Sequence, residues 1–146
     1  MPMLPIAVLL ALAAPAASAA PKANAPDTAA FDACLKDRTA GMLHDIACYT
    51  RERERLTSEQ ARLIERLSAR LKQPGPPSTD YPAAAAALAK AQAAWRTYLG
   101  ADCEIIDHVF GGGNALGFAG ETCLIDHYRT RNAVLRDWLD TYLSDQ

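Results

Sequence analysis

The chain has 146 residues, a formal net charge of -2 and 50% hydrophobic residues, enough for one domain around a single core. With no surplus of Lys and Arg to neutralise phosphates, nucleic-acid binding is excluded. All four cysteines, Cys34, Cys48, Cys103 and Cys123, lie well inside the chain, and no convincing strand pattern occurs anywhere.

Residues 4–20 carry no charge and are rich in Leu, Val and Ala, matching the apolar region of a secretory signal peptide. Ala17-Ser18-Ala19 fits the small-x-small cleavage rule, so residues 1–19 are expected to be removed before Ala20. No cysteine stands at that point, which argues against a lipid anchor. No later apolar stretch reaches the roughly 20 residues of a membrane helix, so no stable membrane insertion is expected. The product should be periplasmic or secreted. Residues 20–30, rich in Ala, Pro and Lys, read as a disordered lead-in, and 31–146 as a single helical domain.

An even cysteine count in an exported protein reads as two disulfides. Four cysteines allow three pairings, and sequence order favours Cys34 with Cys48 and Cys103 with Cys123, because each pair brackets a candidate turn. A straight helix would hold positions 34 and 48 about 21 Å apart, whereas a disulfide needs Cα atoms within about 7 Å. The chain must therefore fold back near Gly41.

Thr57 and Gln60 form a capping-box pattern, and Leu63, Leu67 and Leu71 repeat at helical spacing, predicting a helix over 58–72. Gln73-Pro74-Gly75-Pro76-Pro77 stops it, and Asp80 or Tyr81 followed by Pro82 opens the next. The alanines at 83–87 favour helix. Leu88, Gln92, Trp95, Leu99, Cys103, Ile106 and Phe110 then mark one long amphipathic helix that ends at Gly111-Gly112-Gly113-Asn114. A last helix is predicted from about Gly120, carrying Leu124, Tyr128, Leu135, Trp138 and Tyr142 on one face. The expected fold is all-α, a small disulfide-stapled bundle of about four helices. Trp95, Trp138, Leu99, Phe110 and Leu135 are expected in its core, and Arg131 is expected to reach a carboxylate or a helix C-terminus.

Chemistry-bearing constellations are few. Cys103, His108, Cys123 and His127 could on paper make a Cys2His2 zinc site, but an oxidising compartment favours disulfides, so no metal or cofactor is expected. Glu104, Asp107, Glu121 and Asp126 could supply paired carboxylates, yet a bundle of this size rarely leaves the cleft a glycosidase needs. No Gly-x-Ser-x-Gly, phosphate loop or His-Glu-x-x-His is present, and no enzyme is expected.

Gln92 and Trp95 in a Gln-x-x-Trp helix, Cys103, the loop Gly111-Gly112-Gly113-Asn114, Cys123, and the closing Arg131 and Leu135 together resemble the LprI-like family of bacterial envelope proteins, whose named member is a lysozyme inhibitor. The match is strongest over 91–143 and looser over 34–71. It departs at Gly113-Asn114, where the family has Gly-Ser, at Thr130 and Asn132, and at Arg51-Glu52-Arg53-Glu54-Arg55 after the second cysteine. The resemblance implies an exported binding protein that inhibits a lysozyme (muramidase), or another peptidoglycan hydrolase, by occluding its cleft. Alternatives from other classes are an envelope accessory or structural protein, and an immunity protein without a lysozyme target.

Charge placement adds a candidate surface. No Lys or Arg occurs between Arg96 and Arg129, where Asp102, Glu104, Asp107, Glu121 and Asp126 all fall, whereas 51–72 is mostly basic. Animal-type lysozymes are generally basic and work with two carboxylates in an open groove. The expected partner-binding set is therefore Asp102, Glu104, Asp107, Glu121 and Asp126 around a slender loop at 111–117, with Gly111, Gly112, Gly113, Asn114 and Phe118 nearest its tip.

Overall fold

The computed structural model describes residues 28–37, 39, 41–111 and 114–144, with the side chains of 114–116 left out. The expected signal peptide and most of the lead-in lie outside the described residues. The elements are α1 (Ala29–Leu35), α2 (Met42–Arg70), α3 (Tyr81–Phe110), α4 (Asn114–Asp137) and a closing π-helical segment (Trp138–Tyr142). No strand occurs among the described residues.

Helix α2 is one continuous rod of 29 residues rather than a helix beginning near 58. Its buried positions are Cys48, Glu52, Leu56, Gln60, Leu63 and Leu67, spaced by three or four, and Leu71 continues the stripe just beyond the last turn. Two of these are polar, which hides the first half of the stripe from a search for leucines. Thr57 and Gln60 accordingly do not cap anything: the Thr57 hydroxyl donates back to the Arg53 carbonyl at 2.8 Å, and Gln60 is buried. The fold-back falls at Gly41, whose φ of 77° lies in the left-handed region that a Cβ disfavours. Helix α1 starts at Ala29, slightly before the expected onset of order.

Helix α3 opens as expected. The Asp80 carboxylate accepts from the Ala83 N–H at 2.9 Å, and Pro82 sits in the first turn, where its missing N–H leaves nothing unpaired. It ends at Gly111, with φ of 68° and an N–H donating to Asp107 O at 3.0 Å.

Helix α4 begins at Asn114, not near Gly120, so the connection from α3 is short. Gly117 and Gly120 lie inside it. A helical glycine costs about 1 kcal/mol relative to alanine, which is why the glycines at 117 and 120 read as loop in the sequence. The inward face of α4 is Ile125, Asn132 and Leu135, followed by Leu139. Leu124 and Tyr128 are only half-buried. Past Asp137 the turn widens, with the Leu143 N–H reaching Trp138 O at 3.1 Å, so Leu139 turns inward and Tyr142 outward, 70% exposed.

Helix α4 is the centre of the bundle. It runs parallel to α2, as the pairs Arg53–Glu121, Leu56–Asn132 and Glu59–Arg136 show in order along both helices. It runs antiparallel to α3, where Cys103 meets Cys123 and Gln92 meets Arg131. The main core joins Leu63, Leu67 and Leu71 of the α2 stripe to Leu88, Leu135 and Leu139, each such burial contributing about 2 kcal/mol. Leu99 is buried as expected and Trp95 is half-buried edge-on to Tyr128. Trp138 is half-buried against the core, but Phe110 is 46% exposed, because α3 runs beyond its cover at that end.

Candidate functional site

One end of the bundle gathers α1, the start of α2, the end of α3 and the start of α4. The sequence places the clamp here, and both disulfides form with the favoured local pairing. Cys34–Cys48 joins α1 to α2 with Cα atoms 5.9 Å apart, and Cys103–Cys123 joins α3 to α4 at 5.8 Å. The Cys103, Cys123 and His127 donor atoms do come together, as do Cys34, His44 and Cys48. In each set the sulfurs are bonded to one another, and a disulfide offers no thiolate to a metal. His108 stands apart, 80% exposed and 3.8 Å from Glu104.

The acidic residues expected to form the binding surface divide into two groups. Asp102 and Glu121 are engaged internally. The Asp102 carboxylate lies 2.6 Å from His127 Nε2 and accepts from the Tyr98 hydroxyl at 3.3 Å. Glu121 accepts from Arg53 Nε at 2.8 Å. Asp126 is exposed, 3.8 Å from Arg129 one turn on. Glu104 and Asp107 are exposed, and Asp107 has no cation within 4.0 Å among the described residues. Glu104, Asp107 and Glu121 edge a groove of 710 Å³ between α3 and α4, whose width follows from the absent side chains of Gly100, Gly117 and Gly120.

The expected slender loop at 111–117 is corrected by the early start of α4, which absorbs 114–117. Gly111 is exposed; Gly112 and Gly113 lie outside the described residues, as does the Asn114 side chain. Phe118 is half-buried with its ring 5.4 Å from Tyr49, which in turn meets Phe31 at 5.1 Å. It therefore belongs to the α1–α2–α4 contact.

Sequence reasoning missed the apolar half of this end. Ile105, Val109 and Phe110 of α3 are 56%, 70% and 46% exposed, and Met42, Leu43 and Ile46 of α2 are 46%, 80% and 45% exposed. A signal was present: Ile105 and Val109 fall off the stripe of Leu99, Cys103 and Ile106, so they had to face outward once that stripe was assigned.

Behind the site, an ion-pair seam locks α2 to α4. Glu52 is buried and accepts from Arg55 Nε at 2.8 Å and from Arg129 Nη2 at 2.9 Å. Burial pushes its carboxyl upward, but the hydrogen bonds and charges of Arg55 and Arg129 prevail and hold it below the ordinary value. Arg136 reaches Glu59 at 2.8 Å, and Arg129 also lies over the Phe31 ring at 5.3 Å. Arg131, expected to reach a carboxylate or a helix C-terminus, instead donates to a neutral side chain, Gln92. Burial pushes the Arg131 guanidinium below its ordinary pKa.

These features define a small helical protein stapled by two disulfides, one end of which exposes Ile105, Val109 and Phe110 beside the carboxylates of Glu104 and Asp107. The chain belongs to the family described as Lysozyme inhibitor LprI, whose family model matches residues 33–135. No curated protein and no solved structure matches it. No described helix is long and apolar enough to cross a membrane.

Proposed function

We propose that this protein is exported and inhibits a muramidase by docking the end of the bundle that carries the α3–α4 connection against the enzyme's cleft. Membership of the Lysozyme inhibitor LprI family supports the class of function. The observation that carries the choice of surface is the juxtaposition of Ile105, Val109 and Phe110 with the exposed carboxylates Glu104 and Asp107 on the last two turns of α3. Interfaces combine an apolar centre with a polar rim, and exposed acidic groups speed encounter with a basic partner. The Cys103–Cys123 clamp holds the two supporting helices fixed, so little order remains to be imposed on binding.

Surface-immobilised basic lysozyme provides the test. Wild-type protein should bind, and Asp107→Lys should slow association in a manner that fades at high salt, with little change in dissociation. Equal association rates for the two proteins at low salt would remove the acidic rim from the account.

A further inference from the structure

The two disulfides have different surroundings. At Cys34–Cys48, Arg51 Nη2 lies 2.8 Å from Cys34 Sγ and 3.6 Å from Cys48 Sγ. His44 Nε2 lies 3.9 and 3.4 Å from the same two sulfurs. That nitrogen is also 2.9 Å from the Cys34 carbonyl oxygen, which can only accept, so Nε2 carries a hydrogen. The Arg51 guanidinium thus faces both sulfurs, and the His44 imidazole, its Nε2 hydrogen held by the Cys34 carbonyl, lies beside them. At Cys103–Cys123 the neighbouring imidazole, His127, directs its Nε2 to Asp102, and neither sulfur has a hydrogen-bond donor among the described residues.

We propose that Cys34–Cys48 is a thiol-exchange site, opened at Cys34 by a low-molecular-weight anionic thiol. Cys34 is only half-buried whereas Cys48 is 2% exposed, so the incoming thiolate reaches Cys34 Sγ. Its sulfur bonds to Cys34 as the protein S–S bond breaks, and the electron pair leaves on Cys48 Sγ beside His44 and Arg51. A second thiolate then attacks the external sulfur of the mixed disulfide, forming the small-molecule disulfide and expelling Cys34 as a thiolate against Arg51. Two external thiolates are oxidised to one disulfide and the protein bond is reduced by two electrons. Exchange is faster when the leaving thiol has a lower pKa, and neighbouring cations lower thiol pKa values. The Arg51 guanidinium, exposed at the surface, also attracts the anionic reagent. Opening has a structural consequence. Helix α1 has seven residues, far too few to persist alone in water, and besides this bond it is held by the His44 hydrogen bond to the Cys34 carbonyl and by the Phe31 contacts to Tyr49 and Arg129.

The test incubates the oxidised protein with reduced glutathione at fixed pH, with acid quench, alkylation and peptide mapping over time. Cys34–Cys48 should open at least tenfold faster than Cys103–Cys123, with the glutathione adduct on Cys34. Arg51→Met should slow that opening several-fold, while Arg62→Met, an exposed change elsewhere on α2, should leave it unaltered. Hydrogen exchange over 29–35 should rise in step with opening. Faster or equal opening at Cys103–Cys123, an adduct on Cys48, or an unchanged rate in Arg51→Met would overturn the proposal.

Discussion

Arg131 Nε of α4 donates to Gln92 Oε1 of α3 at 2.7 Å, and the same guanidinium lies over the Trp138 ring at 5.1 Å. No carboxylate lies within 4.0 Å of it among the described residues, so a half-buried cation is held by an amide and an aromatic face. Gln92 and Arg131 are thus partners across the bundle.

That relationship predicts non-additive stability. Arg131→Met keeps the stem against Trp138 but leaves Gln92 Oε1 without its donor, and should lower the unfolding free energy by about 2 kcal/mol. Gln92→Leu strands the guanidinium and should cost a similar amount. The double variant should cost less than the sum of the two by about 1 kcal/mol. Urea titrations of the four proteins provide the cycle, and strictly additive losses would show that the pair does not act as a unit.

Glu52 predicts the acid arm of the stability profile. Its folded pKa is depressed, so the stabilisation is fully present above the unfolded value, about 4.3, and is lost as pH falls through the lower folded value. Wild-type stability should therefore decline below about pH 4. Glu52→Gln should cost about 3 kcal/mol at neutral pH, because Arg129 and Arg55 lose a buried counter-charge, and its decline at low pH should be shallower. Parallel acid titrations followed by circular dichroism would decide; identical slopes would assign the acid sensitivity to other carboxylates.

Cys103–Cys123 spans 20 residues and should contribute about 3 kcal/mol by the chain-entropy model. Replacing both cysteines with alanine should lower stability by about that amount and raise amide exchange first in 105–120, on both sides of the α3–α4 connection. Protection unchanged there would mean that packing alone holds the two helices together.

The all-helical class, both disulfide pairings, the turn near Gly41 and the start of α3 were legible, because each rests on a local pattern: helical spacing of apolar residues, cysteine pairs that each bracket a turn, the reach limit of a disulfide, and a proline in the first turn after Asp80 or Tyr81. The first half of α2 was not, since Glu52 and Gln60 occupy inward positions and only tertiary partners make a buried glutamate tolerable. The phase of α4 was missed for two physical reasons. Asn132, a polar residue, occupies an inward position where its amide donates to the Leu56 carbonyl at 2.9 Å, and the π-helical widening after Asp137 shifts the last turn. At the candidate site, charge was legible as sign and position but not as pairing: Asp102 and Glu121 look the same as Asp107 in one dimension, yet His127 and Arg53 engage them.

The most direct test of the account is a cell-wall lysis assay with purified protein lacking residues 1–19, a basic lysozyme, and two variants. Ile105→Lys/Val109→Lys alters two exposed side chains at the proposed docking end, and Tyr142→Lys alters an exposed ring on the closing π-helical segment at the far end. Wild type and Tyr142→Lys should inhibit lysis in a dose-dependent way, and the double variant should lose inhibition while keeping its helical content and thermal midpoint. No inhibition by the wild type across a panel of muramidases, or undiminished inhibition by the double variant, would contradict it.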